Sequence, residues 1–300
     1  MTLDISLRII LLITFSFTGF IFGRNLKLRA YDIASLLVFV ISPVVIFVSI
    51  SQSPISLKYI PYAGYAFLFS SFSALLAFVV AKFFWSDARV NLFAFAGGTG
   101  NTGYFALPIV LSLFNQEQIT IAIFIVIGVN LYEFTIGYFL SASGQASVHE
   151  SIRKVSRIPV LYAALVAIAL KAINIPVSEI LLNSMDNFKG AYSVLGMMVI
   201  GISLSTYKKL EVDYLFTSLL LLWKHIAMPI AGILLFSYVI PLNMQTLEVV
   251  SLMVATPMAG NVVVISSQLN IHPEKAAISV MLSTSLAVFM IPIIIWYITR

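Results

Sequence analysis

Thr99-Gly100-Asn101-Thr102-Gly103 and Thr256-Pro257-Met258-Ala259-Gly260-Asn261 decide how this chain is read. Each lies inside an otherwise apolar span. Gly and Pro are poor helix interiors, and a backbone group freed in lipid costs several kcal/mol unless something re-satisfies it. Irregular backbone at membrane depth survives where protein buries it or where it lines a watery cavity. Two interrupted spans at matching places in two halves are the best sequence pointer to a transporter's binding site.

The surrounding composition supports that setting. The 300 residues are 60% hydrophobic and 10% charged, against about 25% charged in soluble domains. Mean hydropathy is +1.03. This is the composition of a multi-pass membrane protein without a sizeable soluble domain. No Cys is present, which excludes disulfides and thiolate metal sites. His149, His225 and His272 are far apart in sequence and form no local metal-ligand spacing. No cofactor is expected. The net charge of +5 reads as topology signalling and contact with anionic lipid, not as a nucleic-acid surface.

About 20 apolar residues cross a bilayer. Ten candidate spans follow: 5–23, 32–51, 60–84, 91–113, 118–142, 158–174, 189–206, 213–239, 246–269 and 274–298. The first is read as a membrane helix and not as a cleavable leader, because no small-x-small site follows it. Asn174-Ile175-Pro176 cuts the sixth short, and 177–188 reads as an interfacial helix. Pro43, Pro159, Pro229 and Pro292 are expected kinks. Arg8, Lys58, Lys171, Lys189 and Arg300 fall on one side of the membrane. Lys224 lies within the eighth span, and the other eleven of the 17 Lys and Arg fall on the opposite side. The positive-inside rule makes that side cytoplasmic and puts both termini outside. The expected setting is the cytoplasmic membrane.

Shifting the chain by 157 residues lays the fourth and fifth spans on the ninth and tenth. Thr99 meets Thr256, Gly103 meets Gly260, Glu117 meets Glu274, Ile121 meets Ile278 and Ile136 meets Ile293. Interruption, following acid and next span keep one register. Five spans per half is odd, so the halves face opposite ways. The expected fold is all-α and integral to the membrane. It has ten helices in two inverted five-helix repeats, 1–142 and 158–300, joined by a cytoplasmic linker at 143–157. Inverted repeats of this kind carry substrate near the midplane.

Gly97, Gly98, Gly100 and Gly103 put four glycines in seven residues, which favours unwound backbone, although small residues also serve close helix packing. Past each break a new half-helix begins, near Thr102 and after Pro257. Its first N–H groups lack intrahelical partners, and its dipole is positive at that end. Two such ends make an anion site without a formal charge. Asn101 and Asn261 add amides, and Thr99, Thr102 and Thr256 add hydroxyls. Tyr104 is placed to wall the pocket, and Gly100, Gly103, Pro257 and Gly260 supply its backbone. Either Asn can instead serve freed backbone groups. Intramembrane ionisable groups are few: Glu133 beside Asn130, and Lys224 with His225. Glu133 is a candidate for carrying a proton, or else a partner for Lys224 or His225. Lys224 and His225 either balance an anion or face a vestibule.

At these residues the chain resembles the auxin efflux carrier family. Gly100-Asn101-Thr102 and Ala106-Leu107-Pro108 are similar to its fourth-span run, with Gly100 where a Pro often stands. Thr256-Pro257-Met258-Ala259-Gly260-Asn261 is closer still. Asn270-Ile271-His272-Pro273-Glu274 and Ser283-Thr284-Ser285-Leu286 through Pro292 resemble the loop and last span that follow. The resemblance implies a scaffold domain of helices 1, 2, 6 and 7, and a transport domain of helices 3–5 and 8–10. It implies that broken helices 4 and 9 cross, with the substrate carboxylate at Asn101, Pro257 and Asn261. It also implies elevator-like motion and often a homodimer. The expected function is secondary transport of small organic anions. A bile-acid-type sodium-coupled symporter, or another inverted-repeat carrier, is the alternative. A cation antiporter lacks its buried carboxylate pair here. An intramembrane enzyme lacks a Ser/His pair or paired acids near the breaks, and no Gly-x-x-x-x-Gly-Lys-Ser/Thr run is present for ATP.

Overall fold

The computed structural model describes residues 2–52, 57–142, 159–206 and 212–298. The linker at 143–157, together with Lys208 and Lys209, lies outside the described residues. All described regular elements are helical. They are α1 (Thr2–Leu26), α2 (Ala30–Gln52), α3 (Ile60–Ala81), α4 (Arg89–Gly98) and α5 (Leu107–Leu113). Then come α6 (Gln116–Ser141), α7 (Pro159–Ala172), α8 (Glu179–Ser205) and α9 (Tyr214–Val239). The last three are α10 (Met244–Val254), α11 (Asn261–Leu269) and α12 (Pro273–Ile298). Five of these, α2, α3, α6, α8 and α9, are long and apolar enough to cross a membrane. α1 and α12 are 25 and 26 residues long.

Helix ends follow local chemistry. Asn115 caps α6 through the Gln118 N–H in a capping box. Asp213 and Asn243 cap α9 and α10 through the N–H groups of Phe216 and Thr246. Asn174 and Asn270 adopt φ 54° just past α7 and α11. The residue after each donates back to the carbonyl five earlier, Ile175 to Leu170 and Ile271 to Ser266. Asn tolerates that left-handed geometry, so the Asn174-Ile175-Pro176 stop is a Schellman end. The stretch 177–188 is not a separate element. α8 begins at Glu179 and runs unbroken through it, ten residues before the expected start. An acid in its first turn and the Asp186–Lys189 ion pair make those polar turns good helix.

Proline acts here through π-helical turns. The turns Leu37–Ile41, Thr102–Ala106, Trp223–Ala227 and Leu235–Val239 each end two residues before a proline, namely Pro43, Pro108, Pro229 and Pro241. Proline lacks an N–H and crowds the carbonyl four residues back, and a widened turn relieves that crowding. Pro159 instead starts α7, and Pro292 sits inside α12. A fifth π-turn, Glu133–Gly137, precedes no proline.

Packing falls into two groups. α1 lies along α8 so closely that a Cβ on Gly19 or Gly201 would meet the carbonyl oxygens of Met198 or Ser16, at 2.2 and 1.8 Å. α2 packs on α7 and α8. In the other group α3 packs on α4 and α6, where Gly128 abuts the Ala63 carbonyl. α12 packs on α9, α10 and α11, and it also touches α1 and α8.

Candidate functional site

Both interrupted stretches contain an unwound segment, and the two segments touch. α4 ends at Gly98, and Thr99–Asn101 is irregular. α10 ends at Val254, and helix resumes only at Asn261. The Asn101 N–H donates to the Pro257 carbonyl at 2.8 Å, joining one break to the other. The breaks share a device at the positions related by 157 residues. Thr99 Oγ1 donates to the Ala96 carbonyl at 3.1 Å, and Thr256 Oγ1 donates to the Met253 carbonyl at 2.9 Å. Both threonines are fully buried, and both hydroxyls close the C-terminus of the helix just ended.

Past the first break the chain does not enter an α-helix at Thr102, as the sequence predicts. Thr102–Ala106 is a π-turn, with the N–H groups of Phe105 and Ala106 both directed to the Asn101 carbonyl. The Thr102 N–H folds back on the Gly100 carbonyl at 2.7 Å, so it is not free for a ligand.

A partly open cavity of about 500 Å³ lies against this crossing. Asn101, Gly103, Tyr104, Glu133, Gly260 and Asn261 line it, and Gly100 and Thr102 contribute their edges. The structure thus brings together eight of the residues singled out from sequence. Thr256 and Pro257 stand behind the wall, and Lys224 and His225 do not reach this cavity. The amide Nδ2 of Asn101 is buried without a partner among the described residues. The Asn261 Nδ2 donates to Glu133 Oε2 at 2.6 Å. Lys224 and His225 make their hydrogen bonds with other neighbours, Met228 and Ser283.

Four wall residues carry no sequence signal: Ser42 of α2, Phe134 of α6, Val160 of α7 and Tyr192 of α8. The Tyr104 and Tyr192 rings stand 5.0 Å apart, and the Tyr192 hydroxyl lies where a Cβ on Gly103 would be. Tyr104 in turn covers Gly196 of α8. A glycine or tyrosine opposite a break is invisible in one sequence, since nothing local pairs α8 with α4.

His225 acts on the second break from outside. Its Nε2 pairs with Ser283 Oγ at 2.8 Å, and the same oxygen accepts the Met258 N–H at 2.9 Å. Ser283 is fully buried. The sequence marked it only as part of a family-like run.

Beyond the helix bundle, Asp213 joins three elements. It receives Arg89 of α4 at 3.2 Å and Lys275 of α12 at 3.0 Å while capping α9. Burial pushes its carboxyl up, but Lys275, the Phe216 N–H and Arg89 outweigh that and hold it below its ordinary value. Its neighbour Asp87, paired with Arg89, is held at about 2.

A family model described as membrane transport protein matches residues 5–295. The chain belongs to this family, that of the auxin efflux carriers. An uncharacterized transporter of Methanocaldococcus jannaschii is 23% identical over 305 residues, covering 98% of this chain and 98% of its own. The protein is thus a multi-pass membrane transport protein and not an enzyme. In this transporter the family-like residues Asn101 and Asn261 face one cavity, with the Pro257 carbonyl bonded behind them.

Proposed function

We propose that this transporter moves small organic carboxylates across the cytoplasmic membrane by alternating access, and that the cavity at the crossing is the substrate site. The observation that carries the reading is the Asn101 amide, buried there with an unused donor. A buried donor left unpaired costs roughly 1–3 kcal/mol, which a carboxylate oxygen would recover. The Asn261 amide and the start of α11 add further neutral, positively polarised groups. Glu133 is the one acid in this wall, facing Tyr104 and Tyr192, with Lys224 beyond the crossing. An anion beside an ionised Glu133 meets like charge, whereas a protonated Glu133 admits it. Glu133 is therefore the group we assign to carrying a proton with the substrate.

Two packing groups support a moving-body scheme of the elevator kind. α1, α2, α7 and α8 form one body, and the remaining helices form the other. They meet at the cavity through Tyr104 and Tyr192. The two Thr-closed breaks, 157 residues apart, support inverted five-helix repeats. A dimer through the first body follows from the family resemblance.

The test is thermal unfolding of the purified protein with a panel of small organic acids and their uncharged amides. A ligand of the folded state raises the midpoint with concentration. Acids should stabilise and amides should not, and Asn101→Ala with Asn261→Ala should abolish the effect. An equal response in the double variant would remove the site from this cavity. In vesicles, Glu133→Gln should leave acid binding intact and make uptake independent of pH.

A further inference from the structure

The crossing has a second face. Gly98 and Val254, the last residues of α4 and α10, both line a cavity of about 480 Å³ there, with Gly100, Met253 and Lys224. The rest of the wall is apolar or aromatic and includes Tyr62, Tyr65, Phe69 and Phe236. Two helix C-termini therefore converge on one low-dielectric space. Each carries about half a negative charge on its last carbonyls. Broken helices in transporters use such ends and the unwound carbonyls beside them to hold a cation.

A side-chain ammonium stands at this face. Lys224 is 1% exposed, and its Nζ stands 3.3 Å from where a Cβ on Gly100 would be. Glycine at that position lets the ammonium come up to the break. Among the described residues its hydrogen-bond partner is the Met228 sulfur at 3.5 Å, a weak acceptor. None of the ion pairs among the described residues includes it. A buried ammonium needs compensation, and the helix ends are what this face supplies. The lysine is also positioned. Trp223 Nε1 donates to Ser73 Oγ at 3.1 Å, and Ser73 Oγ donates to the Gly97 carbonyl at 2.8 Å, tying the Lys224 turn to the end of α4.

We infer that Lys224 is a tethered cation. Its ammonium fills the place at the C-termini of α4 and α10 that an alkali cation would otherwise take. The crossing of this transporter accordingly holds together without a bound metal cation. Removing the side chain opens a site for an alkali cation or a small alkylammonium.

The test uses no substrate, so its failure and that of the carboxylate reading are separate. Thermal unfolding of the full chain is followed in choline chloride and in sodium, potassium or ethylammonium chloride at equal ionic strength. The wild-type midpoint should be the same in all four. Lys224→Ala and Lys224→Ser should be less stable in choline. Ethylammonium, sodium or potassium should raise them saturably, by about 3 °C at ten times Kd. Sodium stabilisation of the wild type over choline would overturn the inference. So would variants that respond to none of the three cations. A variant that is unfolded in choline and stays unfolded when extracted in ethylammonium would overturn it as well.

Discussion

The two breaks do the same job with opposite means. The first is short and glycine-rich, and its entrance is filled by neighbours. A Cβ on Gly98 would stand 2.4 Å from the Tyr132 hydroxyl and 2.6 Å from the Ser70 carbonyl. One on Gly100 would stand 2.6 Å from Thr256 Oγ1. The second is longer, contains Pro257 and is braced from behind by Ser283 and His225. Its glycine is slack, since a Cβ on Gly260 would meet only Ile200, at 3.4 Å. Their asparagines differ accordingly. Asn261 is held by Glu133, while the Asn101 amide is left open. A side chain braces the first break just before it unwinds, at the Gly97 carbonyl, and the second within the unwound segment, at the Met258 N–H.

The sharpest way to break that comparison is to add one methyl to each. Gly98→Ala forces backbone to move and should cost about 3 kcal/mol, with loss of transport. Gly260→Ala should stay within about 0.5 kcal/mol. Equal costs would mean that the breaks are alike. Next, Ser283→Ala strips the Met258 N–H and His225 Nε2 of their shared partner. It should cost about 2 kcal/mol in chemical denaturation, because a buried donor is orphaned. A wild-type denaturation curve would show that the second break needs no brace. Asn101→Ala removes the orphaned buried donor and should raise stability by about 1 kcal/mol in the same denaturation, whereas a loss would show that the amide is already paired.

A last effect concerns the outer ends of α4, α9 and α12, where Arg89, Asp213 and Lys275 meet. Asp213→Asn keeps the cap of α9 but loses the charge that meets Arg89 and Lys275, worth about 1 kcal/mol at neutral pH. The native Asp213 carboxyl lies below its ordinary value. Its stabilisation is therefore complete above about pH 4 and lost as pH falls through the depressed native value. The gap between variant and wild type should close on acidification. A gap that persists there would place the effect in capping and not in charge.

The class of the molecule was legible from one sequence. Apolar runs must be helical in lipid, so composition alone gave an all-helical membrane protein. Gly and Pro inside such runs located both interruptions within a residue or two. Asn174-Ile175-Pro176 marked a helix end because capping is local chemistry. The start of α8 was misplaced because hydropathy counts polar residues as non-membrane, whereas helix continues through any good helix former. Glu133 could be named, but its partner could not. The choice among Asn261, Lys224 and His225 depends on which way three separated helices turn their faces.

The sequence by itself determined that two spans unwind and that few charges lie between them. Only tertiary structure decided how those charges are shared. The starts of α11 and of the Thr102–Ala106 turn, with Asn101, Asn261 and Glu133, fall on one face. The ends of α4 and α10, with Lys224, fall on the other. The reason is physical: a helix break fixes where backbone groups are freed, but the crossing of two breaks fixes which side each freed group faces.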